Sequence, residues 1–227
     1  MSVDFSGKIY PGITGGENAD WQSKLEEVNS LGLAEAAVFI ERFNRQEREN
    51  LYKFLLRSSI KKVPLVHLRH DASKDELEFF FDNFRTRHFN IHEESFNFLD
   101  QWKGYEDRLY LEMDYDSKIA KNVKVGQIGG FCLDLSHFKA SLARGSQEAY
   151  YVFVQKQKIS CNHLSGYSES LRQDVHIVKD KKEFDYLATL PKYAFGEIIA
   201  LEIDNSIKEQ LEYKKYIVQI LNEYFSK

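Results

Sequence analysis

Short apolar runs alternate along the chain with longer segments whose apolar positions recur at a helical spacing. The runs predict eight strands: KIYPGIT (8–14), AEAAVFI (34–40), VPLVHL (63–68), RHFNIH (87–92), RLYLEM (108–113), GGFCLD (129–134), KISCNH (158–163) and EIIALEI (197–203). Between them lie amphipathic patterns such as NADWQSKLEEVNSLG, with Asn18 as the cap and Gly32 as the terminator. In SKDELEFFFDNF, Ser73 and Glu76 have the spacing of a capping box. The last strand is followed by NSIKEQLEYKKYIVQILNEYF, a long amphipathic helix. Strand and helix in alternation over 227 residues predict an α/β fold, a (β/α)₈ TIM barrel in one compact domain covering 1–227. A doubly wound open sheet is the alternative.

Strand parity then sorts the side chains, because alternate residues of a barrel strand face the interior and the surrounding helices. In GGFCLDLSHF (129–138), Phe131, Leu133 and Leu135 face helices, while Cys132 and Asp134 point inward. Asp134 then stands at the carboxyl end of its strand, the end that carries chemistry in such barrels. The same phase brings Glu112 in line with Tyr110, His163 with Cys161 and Glu202 with Ala200. His67 and His92 end the third and fourth strands, and SGYSESLRQDVHIV adds Asp174 and His176 as an Asp-x-His pair.

A single inward histidine is more often hydrogen-bonded core than ligand, and that reading is applied to His88, deeper in its strand, and to His70, in a loop. It fails for the group as a whole. Glu112, Asp134 and Glu202 would converge with few inward cations to pair them, and like charges so close repel. A divalent cation resolves the conflict, and mixed imidazole and carboxylate ligands suit zinc, manganese or iron better than calcium or magnesium.

Composition narrows the field. With 31 basic and 35 acidic residues the net charge is −4, which does not favour a nucleic-acid backbone as partner. KDKK at 179–182 reads as a solvated helix start or loop. Cys132 and Cys161 sit in strand-like runs and not in a metal-spaced pair, as expected of small core residues in a reducing compartment. Without an apolar h-region or a membrane-length apolar run, the chain is expected to be cytoplasmic, with no membrane partner. No feature points to a protein partner.

The run FCLDLSHF resembles the Cys-Leu-Asp-x-x-His signature of the xylose isomerase-like barrel superfamily, and especially its endonuclease IV branch. The resemblance implies a metal-binding Glu on strand five, an Asp with a nearby His on strand six, a His on strand seven and a Glu on strand eight. These correspond to Glu112, Asp134 with His137, His163 and Glu202. The endonuclease IV branch implies up to three zinc ions and further ligands, which correspond to His67, His92, Asp174 and His176. The expected activity is then metal-dependent hydrolysis of a phosphoester, with Glu112, Glu202 and His137 as catalytic residues and Arg69 and Arg172 as substrate contacts. Abasic-site DNA is one candidate substrate. Against it, His92 is followed by Glu93–Glu94 where that branch has Pro-Gly.

The alternative enzyme is a single-metal sugar or keto-acid isomerase or epimerase. In it Glu112 and Glu202 act as acid and base, His137 and Arg172 hold substrate hydroxyls, and His67 and His92 are polar lining. A third reading is a barrel that binds a metal or sugar without catalysis.

Overall fold

The structure, a computed structural model, describes residues 4–16, 20–116 and 118–227. Its main sheet is parallel throughout. The predicted first strand is split at Pro11 into β1 (Ile9–Tyr10) and β2 (Gly12–Ile13). β3 (Ala37–Phe39), β4 (Leu65–His67), β5 (His88–His92), β6 (Leu109–Glu112), β7 (Gly130–Asp134), β8 (Ile159–Leu164) and, later in the chain, β11 (Ile198–Leu201) complete it. The order is β1-β11-β8-β7-β6-β5-β4-β3-β2, so the two halves of one strand occupy the two ends of the sheet and bring them together as a barrel. β9 (Gly166–Ser168) and β10 (Gln173–Val175) form a separate antiparallel hairpin above β8.

The seam at Pro11 has a specific solution. Proline has no N–H to give a ladder. The strand therefore pairs with β11 before it, through Ile199 N–H to Lys8 O at 2.8 Å, and with β3 at and beyond it, through Ala37 N–H to Pro11 O at 2.9 Å. Gln210, buried on α6 (Ile207–Phe225), accepts from Gly12 N at 2.7 Å and donates to Gly12 O at 3.0 Å. The backbone comes so close here that a Cβ on Gly12 would lie 1.9 Å from Leu201 O.

Helices follow only some of the strands, which corrects the strict alternation expected from sequence. α1 (Trp21–Ser30), α2 (Arg45–Arg57) and α3 (Lys74–Phe84) follow the first three barrel positions, α4 (Leu135–Arg144) and α5 (Gln147–Val154) follow β7, and α6 follows β11. After β5 and β6 the chain makes only 3₁₀ turns, and before β11 it forms a 3₁₀ helix at Lys181–Thr189. These connections hold Gly104 and Gly126 or runs broken by Asn, Asp and β-branched residues, which weaken an α-helix. Asn18 lies outside the described residues, and Asp20 caps α1 by accepting from Gln22 N and Ser23 N. Gly32, at φ +63°, follows the end of α1 as expected. The KDKK run leads into the 3₁₀ helix at Lys181, with Asp180 as its cap.

Parity divides the apolar residues into two sets. Ala37, Phe39, Leu65, Cys132, Cys161 and Ala200 fill the barrel interior, with Tyr110 and Ile198 against them. Phe131, Leu133, Leu109, Leu111, Ile199 and Leu201 pack outward under the helices. Both cysteines are free and buried. Leu51 and Leu55 of α2 and Leu77 and Phe80 of α3 are fully buried, and each such side chain contributes about 1.5–3 kcal/mol.

One ionic cluster joins α2 to α3. The Arg48 guanidinium, 1 % exposed, donates to Glu76 Oε1 at 2.7 Å, to Asp71 Oδ1 at 3.0 Å and to Phe43 O at 3.0 Å. Tyr52 Oη donates to Glu76 Oε1 at 2.7 Å, and Ser73 N donates to Glu76 Oε2 at 2.7 Å, the capping contact anticipated from sequence. Burial pushes the Glu76 carboxyl up, but the bonds from Arg48, Tyr52 and Ser73 outweigh it and hold the carboxyl below the usual range. No helix among the described residues is long and apolar enough to cross a membrane.

Candidate metal centre

The four residues singled out by strand parity meet at the carboxyl end of the barrel. Glu112 ends β6, Asp134 ends β7, His163 lies near the end of β8, and Glu202 directly follows β11. The parallel register sets Asp134 beside His163 and Ala200 beside His163, which aligns these positions across neighbouring strands. One ligand atom from each of the four lies within 4.8 Å of every other, and all four residues are buried. His163 Nδ1 is 3.1 Å from Glu112 Oε2 and 3.2 Å from Glu202 Oε2.

Local contacts hold these side chains. Asn90, inward on β5, donates from Nδ2 to Glu112 Oε2 at 2.7 Å. Asp134 caps α4, with Oδ1 accepting from His137 N at 2.8 Å and from Ser136 Oγ at 2.7 Å. The sharp passage from strand to helix therefore fixes the carboxylate and the helix start together.

The electrostatics show what the cluster lacks. Burial alone raises every carboxyl here, yet the imidazole of His163 draws Glu112 well below the usual range and lowers Glu202 as well. Burial disfavours the charged imidazole of His163, but the two glutamates overcome this and raise it well above the ordinary histidine value. Asp134 is raised by burial and by Glu112 and Glu202, with His137 opposing. Glu41 is pushed up to about 8 by burial and by Glu202. His163 is thus the imidazole that Glu112 and Glu202 hold toward its charged form.

That observation also tests the fit of a divalent ion. Both ring nitrogens of His163 are buried and make no hydrogen bond, although carboxylate oxygens stand close to Nδ1. Donors that converge without bonding one another have the arrangement of a ligand set. Three carboxylates and one imidazole could hold zinc, manganese or iron.

The other residues expected from sequence lie around this centre, and His67 shares a donor group with Glu112 and His163. His67 is buried at the end of β4, with Nε2 3.1 Å from His92 Nε2 and 3.7 Å from Glu112 Oε2. Burial pushes His67 down to about 3. His92, half-exposed, turns Nδ1 toward Asp114 Oδ1 at 3.4 Å; despite burial, Asp114 and Glu112 raise it to about 9. Asp174, on β10, is 3.3 Å from His137 Nε2 and 2.9 Å from His176 Nε2, so the Asp-x-His pair turns toward itself. His176 Nδ1 is engaged by Glu202 O at 2.9 Å. His137 and His176 thus share the single carboxylate of Asp174 at the rim.

The two arginines expected to contact substrate differ. Arg69 is taken up locally, Nε 3.3 Å from Asp71 Oδ1 and Nη1 3.4 Å from Phe43 O. Arg172 lines a cavity of about 230 Å³ together with His137, Tyr115, Arg144 and Asp174. His88 stacks on Tyr110 at 4.7 Å, and His70 pairs with Glu94 at 3.1 Å, so both have non-ligand roles.

Sequence reasoning missed Glu41. It follows β3 by two residues, in phase with Ala37 and Phe39 of the barrel interior, so the signal was present one residue beyond the apolar run. Glu41, His67 and Glu202 form a further group of donors within 4.8 Å of one another.

No family model matches the sequence, and no curated protein matches it. Solved structures do match the fold. A crystal structure of the IOLI protein with a zinc atom bound has a TM-score of 0.56 at 14% identity, over 97% of this chain and all of that one. A D-tagatose 3-epimerase-like protein has a TM-score of 0.54 at 11% identity, over 95% of this chain and 98% of that one. The chain therefore has the barrel fold of these proteins, in line with the xylose isomerase-like resemblance. The endonuclease IV-like hydrolase expected from sequence finds no support in these structures.

Proposed function

We propose that the chain is a divalent-metal-dependent isomerase or epimerase of a sugar or keto acid. The observation that carries this reading is the convergence of Glu112, Asp134, His163 and Glu202 within 4.8 Å, with a glutamate oxygen from each of two strands against one imidazole nitrogen. The zinc-bound and epimerase-like structures of the same fold support it.

Glu112, Asp134, His163 and Glu202 would hold the metal, which when bound supplies Lewis-acid polarisation of a substrate carbonyl and hydroxyl. Glu112 and Glu202 carry the proton chemistry, one carboxylate taking a proton from the carbon beside the carbonyl and the other returning it. Asn90 fixes the orientation of Glu112 through its bond to Oε2. His137 and Arg172 face the cavity of about 230 Å³ and bind substrate hydroxyls. His67 and His92 form the polar wall. Burial of all four donors keeps bulk water from the proton transfer.

Exchange into heavy water tests this directly. With manganese or zinc loaded, a panel of ketoses and keto acids is incubated in D2O and followed by NMR. At least one should gain deuterium at the carbon beside its carbonyl, and Glu112→Gln or Glu202→Gln should slow exchange by about two to four orders of magnitude. Loaded protein that exchanges nothing in the panel, yet cleaves an abasic-site oligonucleotide, would restore the hydrolase.

A further inference from the structure

We infer that the barrel mouth binds a second divalent cation, held by Glu41, His67 and Glu202, with Glu202 shared between it and the first. This rests on the reading of the four-donor centre as a metal site and extends it to a binuclear one.

The three donors come from β3, β4 and β11, strands that bring them to the side of the mouth away from Asp134. One ligand atom from each lies within 4.8 Å of the others. His67 is 2 % exposed, and its Nδ1 makes no hydrogen bond. That nitrogen faces Glu41 Oε2 at 3.7 Å, too long for a bond between them, and Glu41 Oε2 is itself buried and unbonded. A buried polar atom without a partner costs about 1–3 kcal/mol, so two that face each other across a gap mark a missing third party.

Each residue divides its two donors in a way that leaves room for a cation. Glu41 turns Oε1 outward, 3.5 Å from Arg42 Nε, and keeps Oε2 inside. His67 turns Nε2 toward His92 and Glu112, so a proton there has an acceptor while Nδ1 is left to ligate. A ligand histidine whose other nitrogen is bonded is the usual arrangement around a metal.

Charge points the same way. Glu41, Glu112, Asp134 and Glu202 bring four carboxylates to one buried mouth, and Arg42 at its edge is half-exposed. A single divalent ion with neutral imidazoles leaves excess negative charge in a low-dielectric site, and a second ion balances it. A carboxylate spanning two ions about 3.5–4 Å apart is a common bridge in binuclear centres. One imidazole with two carboxylates selects manganese, iron, cobalt or zinc over calcium and magnesium.

Manganese titration measures the count. Metal-free full-length protein is dialysed against increasing Mn2+, and bound ion is determined by elemental analysis and by electron paramagnetic resonance. Wild type should take up two equivalents, with a spin-coupled signal at saturation. Glu41→Gln, nearly isosteric, should bind one equivalent and lose the coupling. One equivalent in wild type, or two in a folded Glu41→Gln, overturns the inference and leaves the mononuclear reading intact. No bound manganese or zinc in wild type overturns both. The wild-type count is decisive even if the variant fails to fold.

Discussion

Two buried ionic clusters in this molecule are built to opposite specifications. Around Arg48 each charge has its partner: the guanidinium bonds Glu76, Asp71 and a backbone carbonyl, and Glu76 also receives Tyr52 and Ser73. At the barrel mouth Glu41, Glu112, Asp134 and Glu202 crowd around His163 and His67, and His163 Nδ1, His163 Nε2, His67 Nδ1 and Glu41 Oε2 make no hydrogen bond. Buried charge is tolerated when it is paired and bonded. The first cluster is therefore complete as a protein structure, and the second leaves buried donors unbonded. Burial alone does not separate a structural site from a chemical one; the unsatisfied atoms do.

The largest expected effect falls on the satisfied cluster. Arg48→Met leaves Glu76 and Asp71 without their shared cation and should cost about 3–5 kcal/mol, as loss of one member of a buried pair does. For a chain of this size that is a melting temperature lower by roughly 6–20 °C. Metal content of the folded variant should equal that of wild type. A loss under about 1 kcal/mol would show that the pairing contributes nothing specific, and the contrast would collapse.

Metal removal should act on the other cluster alone. At free metal a hundredfold above Kd, binding stabilises the native state by about 2.7 kcal/mol, so exhaustive chelation should lower the melting temperature by roughly 5–10 °C. In the chelated protein Asp134→Asn should raise stability by on the order of 1 kcal/mol, because it removes one of the mutually repelling acids and keeps the Oδ1 that accepts from His137 N and Ser136. An unchanged melting curve after verified metal loss, or a destabilised Asp134→Asn apoprotein, contradicts the comparison.

The smallest effect is a pH dependence. The Glu76 carboxyl is lowered in the folded state, so its contribution is full above the unfolded value of about 4.3 and is lost as pH falls through the folded value. Glu76→Gln should therefore be less stable than wild type at pH 6 by about 1 kcal/mol, with the gap narrowing below pH ~4.3. Urea denaturation at pH 6 and pH 3 measures both gaps, and a gap that widens in acid contradicts the assignment.

Much of the mouth was legible in the sequence because barrel strands keep a strict period of two. Glu112, Asp134, His163 and Glu202 each sit two residues after an inner residue, Tyr110, Cys132, Cys161 and Ala200, and the structure keeps all four in phase. Glu41 obeys the same rule but was cut off where the apolar run ended at Ile40. The Arg48 cluster was not legible, since its members lie on different helices and 28 positions separate Arg48 from Glu76. KIYPGIT read as one strand because pattern alone does not reveal that Gln210, 198 positions away, supplies hydrogen bonds to Gly12 just beyond the proline. Asp174 lies on the extended β10 while His176 falls in the bend just after it, and the contact of Asp174 with His137 depends on a hairpin that alternation of residue types does not specify.

The seam at Pro11 bears on how the chain is made. As the chain is synthesised, β1 emerges well before its partner β11, and the side chain of Gln210 follows on α6. Until then β1 and β8 both keep an unpaired edge, the kind of surface that joins to other chains. Without Ile198–Leu201 the molecule would hold most of its strands and helices and still be an open sheet.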